Sequence, residues 1–143
     1  MNRRARPFDC RRAATSFVKP TTASMDKVTL ASKFASFSEH WTPKIVGELN
    51  GQHVKLVKFV GEFVWHHHDH EDEMFFVHRG RFRMELRDGD IELRAGDFLI
   101  VPRGVEHRPV ADEEVEVMLF EPAGTLNTGN VRSERTVAEP VRL

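Results

Sequence analysis

The sequence predicts a small all-β domain, with antiparallel strands closed into a sandwich or barrel. Three observations carry that expectation. Apolar residues recur with period two through residues 45–121, and Gly, Asn, Asp and Pro interrupt them every eight to twelve residues. The length, 143 residues with 40% hydrophobic composition, suits one domain with a single core.

The elements follow in chain order. Residues 1–25 are rich in Arg, Ala, Ser and Thr and show no apolar period. They read as a basic disordered tail, with a transit peptide or a true start at Met25 as alternatives. In residues 28–41, Leu30, Phe34, Phe37 and Trp41 recur at three- and four-residue spacing. With Thr29 or Ser32 as a cap, this predicts one short amphipathic helix packed on the following domain. Asn50-Gly51 tolerates the positive φ angles of a type I′ turn and predicts a hairpin. Val54, Leu56 and Lys58 then alternate with Lys55, Val57 and Phe59. Phe82, Met84 and Leu86 alternate with charged neighbours until Asp88-Gly89. Ile91 and Leu93, the run Phe98–Val101 and the series Val115, Val117, Leu119 complete the strands. The domain therefore spans residues 26–122, and residues 123–143 read as a polar loop and tail without a core of their own.

Composition excludes several functions. Six basic residues against Asp9 give residues 1–25 a net charge of +5, so the rest of the chain carries −6 of the overall −1. An acidic body argues against nucleic-acid binding, which needs clustered cations. The one cysteine, Cys10, permits neither a disulfide framework nor a cysteine zinc site. Apolar runs of four residues are too short for a transmembrane helix, and we expect a cytoplasmic protein.

Histidine is the unusual residue: eight in all, four of them between His66 and His70. An extended chain puts His66 and His68 on one face, about 7 Å apart, and His67 on the other. Glu73 can join that face only if residues 69–72 turn. His107 follows the Pro102-Arg103-Gly104 break. Three imidazoles and a carboxylate suit one divalent ion such as Mn, Fe, Ni or Zn. A solvated histidine loop is the competing reading.

These residues carry a family resemblance. Gly61, four residues, His66-x-His68, four residues, Glu73, six residues and Gly80 resemble the first cupin motif. Gly96, five residues, Pro102-x-Gly104, two residues and His107 resemble the second. Gly61 is one residue nearer the first histidine than in the family pattern, and Ala111 stands where the family has Asn. The resemblance covers residues 54–122 and implies a double-stranded β-helix, or jelly roll, with metal ligands His66, His68, Glu73 and His107. The longer pattern, from Trp41 to Asn127-Thr128-Gly129, is similar to stand-alone cupins often labelled mannose-6-phosphate isomerase-like. Fold does not supply a substrate.

Parity places Phe63, Trp65, Phe75, Met84, Phe98 and Phe120 on the inner walls. His70 is the extra candidate for acid–base work. His40, His53 and His78 have no partners in sequence and read as surface. Arg81, Arg83 and Arg87 point outward on the same parity, so no phosphate clamp is visible and true mannose-6-phosphate isomerase activity is disfavoured. Three classes remain: a metalloenzyme with isomerase- or dioxygenase-type chemistry on a polar small molecule, a metal-dependent binding or sensing module, and a structural protein. Exposed sheet edges, with the helix beside them, predict a homodimer.

Overall fold

The computed structural model describes residues 25–143. The expectations for residues 1–24, including the tail, lie outside the described residues. The elements are α1 (Leu30–Phe34), β1 (Lys44–Leu49), β2 (Gln52–Glu62), β3 (Glu73–Arg79), β4 (Arg81–Leu86), β5 (Gly89–Arg94), β6 (Phe98–Val101) and β7 (His107–Pro122).

Asn50 at φ 50° and Gly51 at φ 75° form the β1–β2 turn that their residue types predict. Every strand pairing is antiparallel, and the order runs β1-β2-β7-β3-β6, with β5 attached through β4 to β7. The 16 residues of β7 are the hinge of the fold. Its first residues, from His107 to Val110, pair with β4, and its later ones pair with β3. Strand β2 runs along its other side, with a register shift between Phe59 and Gly61. A bulge there increases bend and twist, which lets one long strand serve both walls of a jelly roll. The fold is the all-β jelly roll that the resemblance implied.

The inner core comprises Val57, Phe59, Phe75, Val77, Phe82, Met84, Leu93, Val101, Ala111, Val115, Val117 and Leu119. A smaller cluster on the outside of β2 joins Phe34 and Phe37 to Leu56.

Four expectations need correction. The helix is five residues long, not fourteen. The Ser36 hydroxyl donates to the Lys33 carbonyl at 2.6 Å, and the Ser36 N–H reaches the same oxygen, so the last turn closes locally. Trp41 then leaves the helical stripe at φ 58° and stacks on Phe59 and Phe63, with ring centroids 4.5 and 4.8 Å apart. Second, Phe98 and Phe120 face outward. In the pairing of β3 with β6, Phe75 meets Leu99 and Glu73 meets Val101, so the inward residues of β6 are Leu99 and Val101. Trp65 also lies outside the barrel, with the Arg87 guanidinium 3.8 Å from its ring centroid. Third, His53 is buried, 3.5 Å from Glu48, and His78 bonds Glu116 at 2.9 Å while stacking on Phe34. Of these three only His40 is exposed, and it too has a partner, Glu114 at 2.7 Å.

The fourth concerns residues 123–143. They contain no strand but are not a loose tail. Thr125 and Thr128 are buried, and Val141 and Leu143 extend the β1 edge by hydrogen bonds to Ile45. Among the described residues no helix is long and apolar enough to cross a membrane.

Candidate metal centre

The chain leaves β2 at Glu62 and crosses the barrel mouth before entering β3 at Glu73. His66 pairs with His107 as an isolated antiparallel bridge, each N–H donating to the other's carbonyl at 3.2 and 2.9 Å. That bridge fixes two of the imidazoles on adjacent backbones. The Gly104 N–H donates to the His68 carbonyl at 2.7 Å and ties the Pro-x-Gly turn to the third. Arg103 completes the tie: its backbone N–H and its Nε both donate to Asp72, at 2.9 and 3.2 Å. The turn through residues 69–72 thus brings Glu73 to the histidine face despite its odd spacing.

The four side chains of His66, His68, Glu73 and His107 are buried, and their ligand atoms lie within 4.8 Å of one another. The imidazole centroids are 4.3 Å apart for His66 and His107, 5.2 Å for His66 and His68 and 5.8 Å for His68 and His107.

The tautomers follow from the acceptors. His66 Nδ1 lies 2.9 Å from the Val64 carbonyl and His107 Nδ1 lies 2.9 Å from the Val105 carbonyl. A carbonyl oxygen only accepts, so each Nδ1 carries a hydrogen, and in the neutral ring each Nε2 keeps a lone pair. His107 Nε2 is buried and forms no hydrogen bond among the described residues, with Glu73 Oε2 3.5 Å away. An unmatched buried acceptor costs about 1–3 kcal/mol. A cation is the natural partner for that lone pair, and the other three side chains surround it with donors of matching chemistry.

Electrostatics point the same way. Burial, then the neighbouring His107, drops the His66 pKa to about 4, so its ring is neutral near pH 7. Burial alone would raise the Glu73 carboxyl, but His107 and His68 outweigh it and hold the group below the ordinary carboxylate range. Burial opposes charge on His68, yet Glu73 Oε2 at 3.1 Å raises its pKa. The resulting set, one carboxylate and mostly neutral imidazoles, is what a divalent transition ion requires.

His67 and His70 stand apart from this group. His67 points away and bonds Asp69 at 2.9 Å. His70 is exposed in a surface cleft of about 180 Å³ that it shares with His68, Glu71, Asn130 and Arg132. A second, narrower cavity of about 40 Å³ reaches His66 and Glu73 between Trp41, Val57, Phe63 and Phe75. Of the six walls expected from parity, Phe63, Phe75 and Met84 are inside.

Sequence reasoning missed four contributors. Asn127 lines the narrow cavity. Gly129 lies so near the histidine loop that a Cβ would stand 2.1 Å from the His67 carbonyl. Arg135 places its guanidinium 5.1 Å from the Trp41 ring centroid, above the cavity wall. Lys55 and Glu121 form a buried ion pair inside the barrel. Asn127 and Gly129 belong to the longer pattern of the resemblance but carry no role there, and the Lys55–Glu121 pair left a signal because both charges occupy inward positions of otherwise apolar strands.

Comparison with known proteins agrees with this geometry. Residues 55–121 match the Cupin domain family. A cupin-2 domain protein from Shewanella frigidimarina is 44% identical, with a TM-score of 0.66 over 66% of this chain and 93% of that one. Protein SchB of Streptomyces halstedii is 32% identical over 66% of this chain and 72% of its own length. YdbB of Bacillus subtilis is 38% identical over 53% of this chain, and the match spans 62% of that relative's length. With its fold, its two motifs and these relatives in agreement, the chain belongs to the cupin family.

Proposed function

We propose that His66, His68, Glu73 and His107 hold one divalent transition ion, Mn, Fe, Ni or Zn, and that the loaded protein acts on a small molecule. The observation that carries this reading is the buried, unpartnered lone pair of His107 Nε2 among three further donors within 4.8 Å. A bound ion would supply Lewis-acid polarisation of a substrate oxygen or, as iron, redox chemistry of the isomerase or dioxygenase kind. The chain's own part is to fix the imidazole tautomers through Val64 and Val105 and to exclude bulk water with Trp41, Phe63 and Phe75.

Those apolar walls also bear on the substrate. No lysine or arginine lines the narrow cavity among the described residues, so a phosphosugar would find no cationic partner within it. The walls favour a ligand that gives oxygen atoms to the metal and an apolar edge to the aromatic rings. His70 is the proton-transfer candidate, through the cleft it shares with His68.

Metal analysis of the purified protein is the direct test. One equivalent of a transition metal in the wild type and none in His66→Ala supports the site; unchanged metal in the variant overturns it. A substrate screen with each metal then separates turnover from binding alone. If His70→Gln keeps both metal and rate, His70 has no part in proton transfer.

We also propose a homodimer through the edge strand β6 and the outer face beside it. Phe98 and Ile100 are 63% and 53% exposed there, and among the described residues β6 pairs only with β3. An unpaired apolar edge can join its own copy about a twofold axis. Light scattering giving the monomer mass would remove this part of the reading.

A further inference from the structure

Inside the barrel, Lys55 of β2 and Glu121 of β7 are 2% and 1% exposed. Lys55 Nζ donates to Glu121 Oε1 at 2.8 Å and to the Thr125 carbonyl at 3.3 Å. Glu121 Oε2 is buried without a hydrogen-bond partner among the described residues. In the pairing of β3 with β7, Phe75 meets Leu119 and Met74 meets Phe120. The next step of that register sets Glu73 opposite Glu121, and both are buried on the inward side.

Two carboxylates facing each other across a ladder repel, more so out of water. Lys55 offsets this by drawing Glu121 toward itself and the Thr125 carbonyl. Glu73 is left with Oε2 directed at His68, 3.1 Å away, and His107, 3.5 Å away. Stability gives no reason for the pair, because a buried ion pair can often be replaced by apolar residues at no cost to folding. A second layer that orients a metal ligand does give one.

We propose that Lys55 and Glu121 are positioning residues for Glu73, fixing the orientation in which its carboxylate is offered to the metal and so setting metal affinity. This rests on the metal-site reading above. It also gives the C-terminal segment a part in the centre, because Thr125 holds one end of the Lys55 ammonium.

The test uses the full chain with Co(II) as the probe, read by chelator competition and by the visible ligand-field spectrum. Lys55→Met leaves Glu121 uncompensated beside Glu73 and is expected to weaken Co(II) binding about 10- to 100-fold and shift the spectrum. The paired replacement Lys55→Met with Glu121→Leu is expected to return the metal-free protein to near wild-type thermal stability, while Co(II) affinity stays low and the spectrum stays altered. Recovery of affinity and spectrum together with stability would show that the pair serves folding only, and would overturn the proposal. Should either Lys55 variant fail to fold, Glu121→Gln decides: about tenfold weaker Co(II) binding supports positioning, and unchanged binding overturns it. A wild type that binds no Co(II) overturns the metal reading and this proposal together. A wild type that binds, with variants that match it, overturns the proposal alone.

Discussion

The two faces of the β2–β7–β3 sheet each depart, in one region, from the usual distribution of polarity around the apolar core. Its inner face carries Lys55, Glu121, Glu73 and, at the mouth, three imidazoles, all buried. Its outer face, continued onto β6, carries Met74, Phe76, Phe98, Ile100, Met118 and Phe120, of which Phe98 and Ile100 are largely exposed. Helix α1 covers part of that face: Phe34 and Phe37 pack on Leu56 and Met118, and Phe34 stacks on His78. Burying polar groups is costly unless they are paired, and exposing a contiguous apolar patch is unusual for a monomer. The difference teaches that neither face is arranged for folding alone. The inner face is polar where a metal would sit, and the outer one is apolar where the proposed second copy would dock.

The comparison can be broken first at its apolar residues. Phe59→Ala removes an inner ring that stacks on Trp41 and meets Phe82 edge-on at 5.3 Å. It should cost about 3–5 kcal/mol in urea unfolding. Phe98→Ala should change monomer stability by no more than about 0.5 kcal/mol. Equal losses would remove the distinction between the faces.

Acid is the next largest lever and acts on the inner face. His66 falls from 6.5 to about 4 on folding, so the unfolded chain takes up its proton first as pH drops. Stability of the metal-free protein should decline between pH 6.5 and 4, by on the order of 3 kcal/mol. His68, raised on folding, contributes with the opposite sign: its stabilisation is present below pH 6.5 and lost as pH rises through its folded value. A metal-free protein whose unfolding midpoint in urea is flat across pH 4–6.5 would contradict the buried neutral state of His66. Loss of metal should follow the same acid window.

Gly129→Ala should be smaller but specific. The position has φ 53°, and the added Cβ would meet the His67 carbonyl carbon at 2.9 Å as well as its oxygen. The left-handed backbone alone costs an L-residue about 1–2 kcal/mol. We expect a melting point several degrees lower and faster release of metal to a chelator. A variant with wild-type release would mean that the C-terminal segment does not cover the site.

Phe98→Lys should have the smallest effect on the fold and the clearest on assembly. Monomer stability should change by about 0.5 kcal/mol or less, while sedimentation should show the monomer mass. A variant that still dimerises would place the interface elsewhere.

Much of this was legible in the chain. Asn50-Gly51 specified its own turn, because few residues adopt positive φ and these two do so readily. The alternation of Phe75 and Val77 with Met74 and Phe76 specified their faces. The spacing His66-x-His68 with a turn before Glu73 and a Pro-x-Gly break before His107 pointed to the four residues that the structure brings together. The errors arose where pairing register, not local periodicity, decides direction. Strand parity places Phe98 and Phe120 in the core, yet their cross-strand partners Phe76 and Met74 hold them outside. Trp41 fits a helical stripe, but Ser36 ends the helix and the indole finds Phe59 and Phe63.

By itself the sequence determined the strands, the turns and the kinds of ligand atoms available, because period and turn chemistry are properties of neighbouring residues. Tertiary structure alone decided that Glu121 lies opposite Glu73 with Lys55 beyond it. It also decided that a C-terminal segment without strands closes over His67, and that the apolar surplus faces outward. Those relations join residues about 50 to 70 positions apart. They exist only once β7 has been registered against both β2 and β3, which no local pattern encodes.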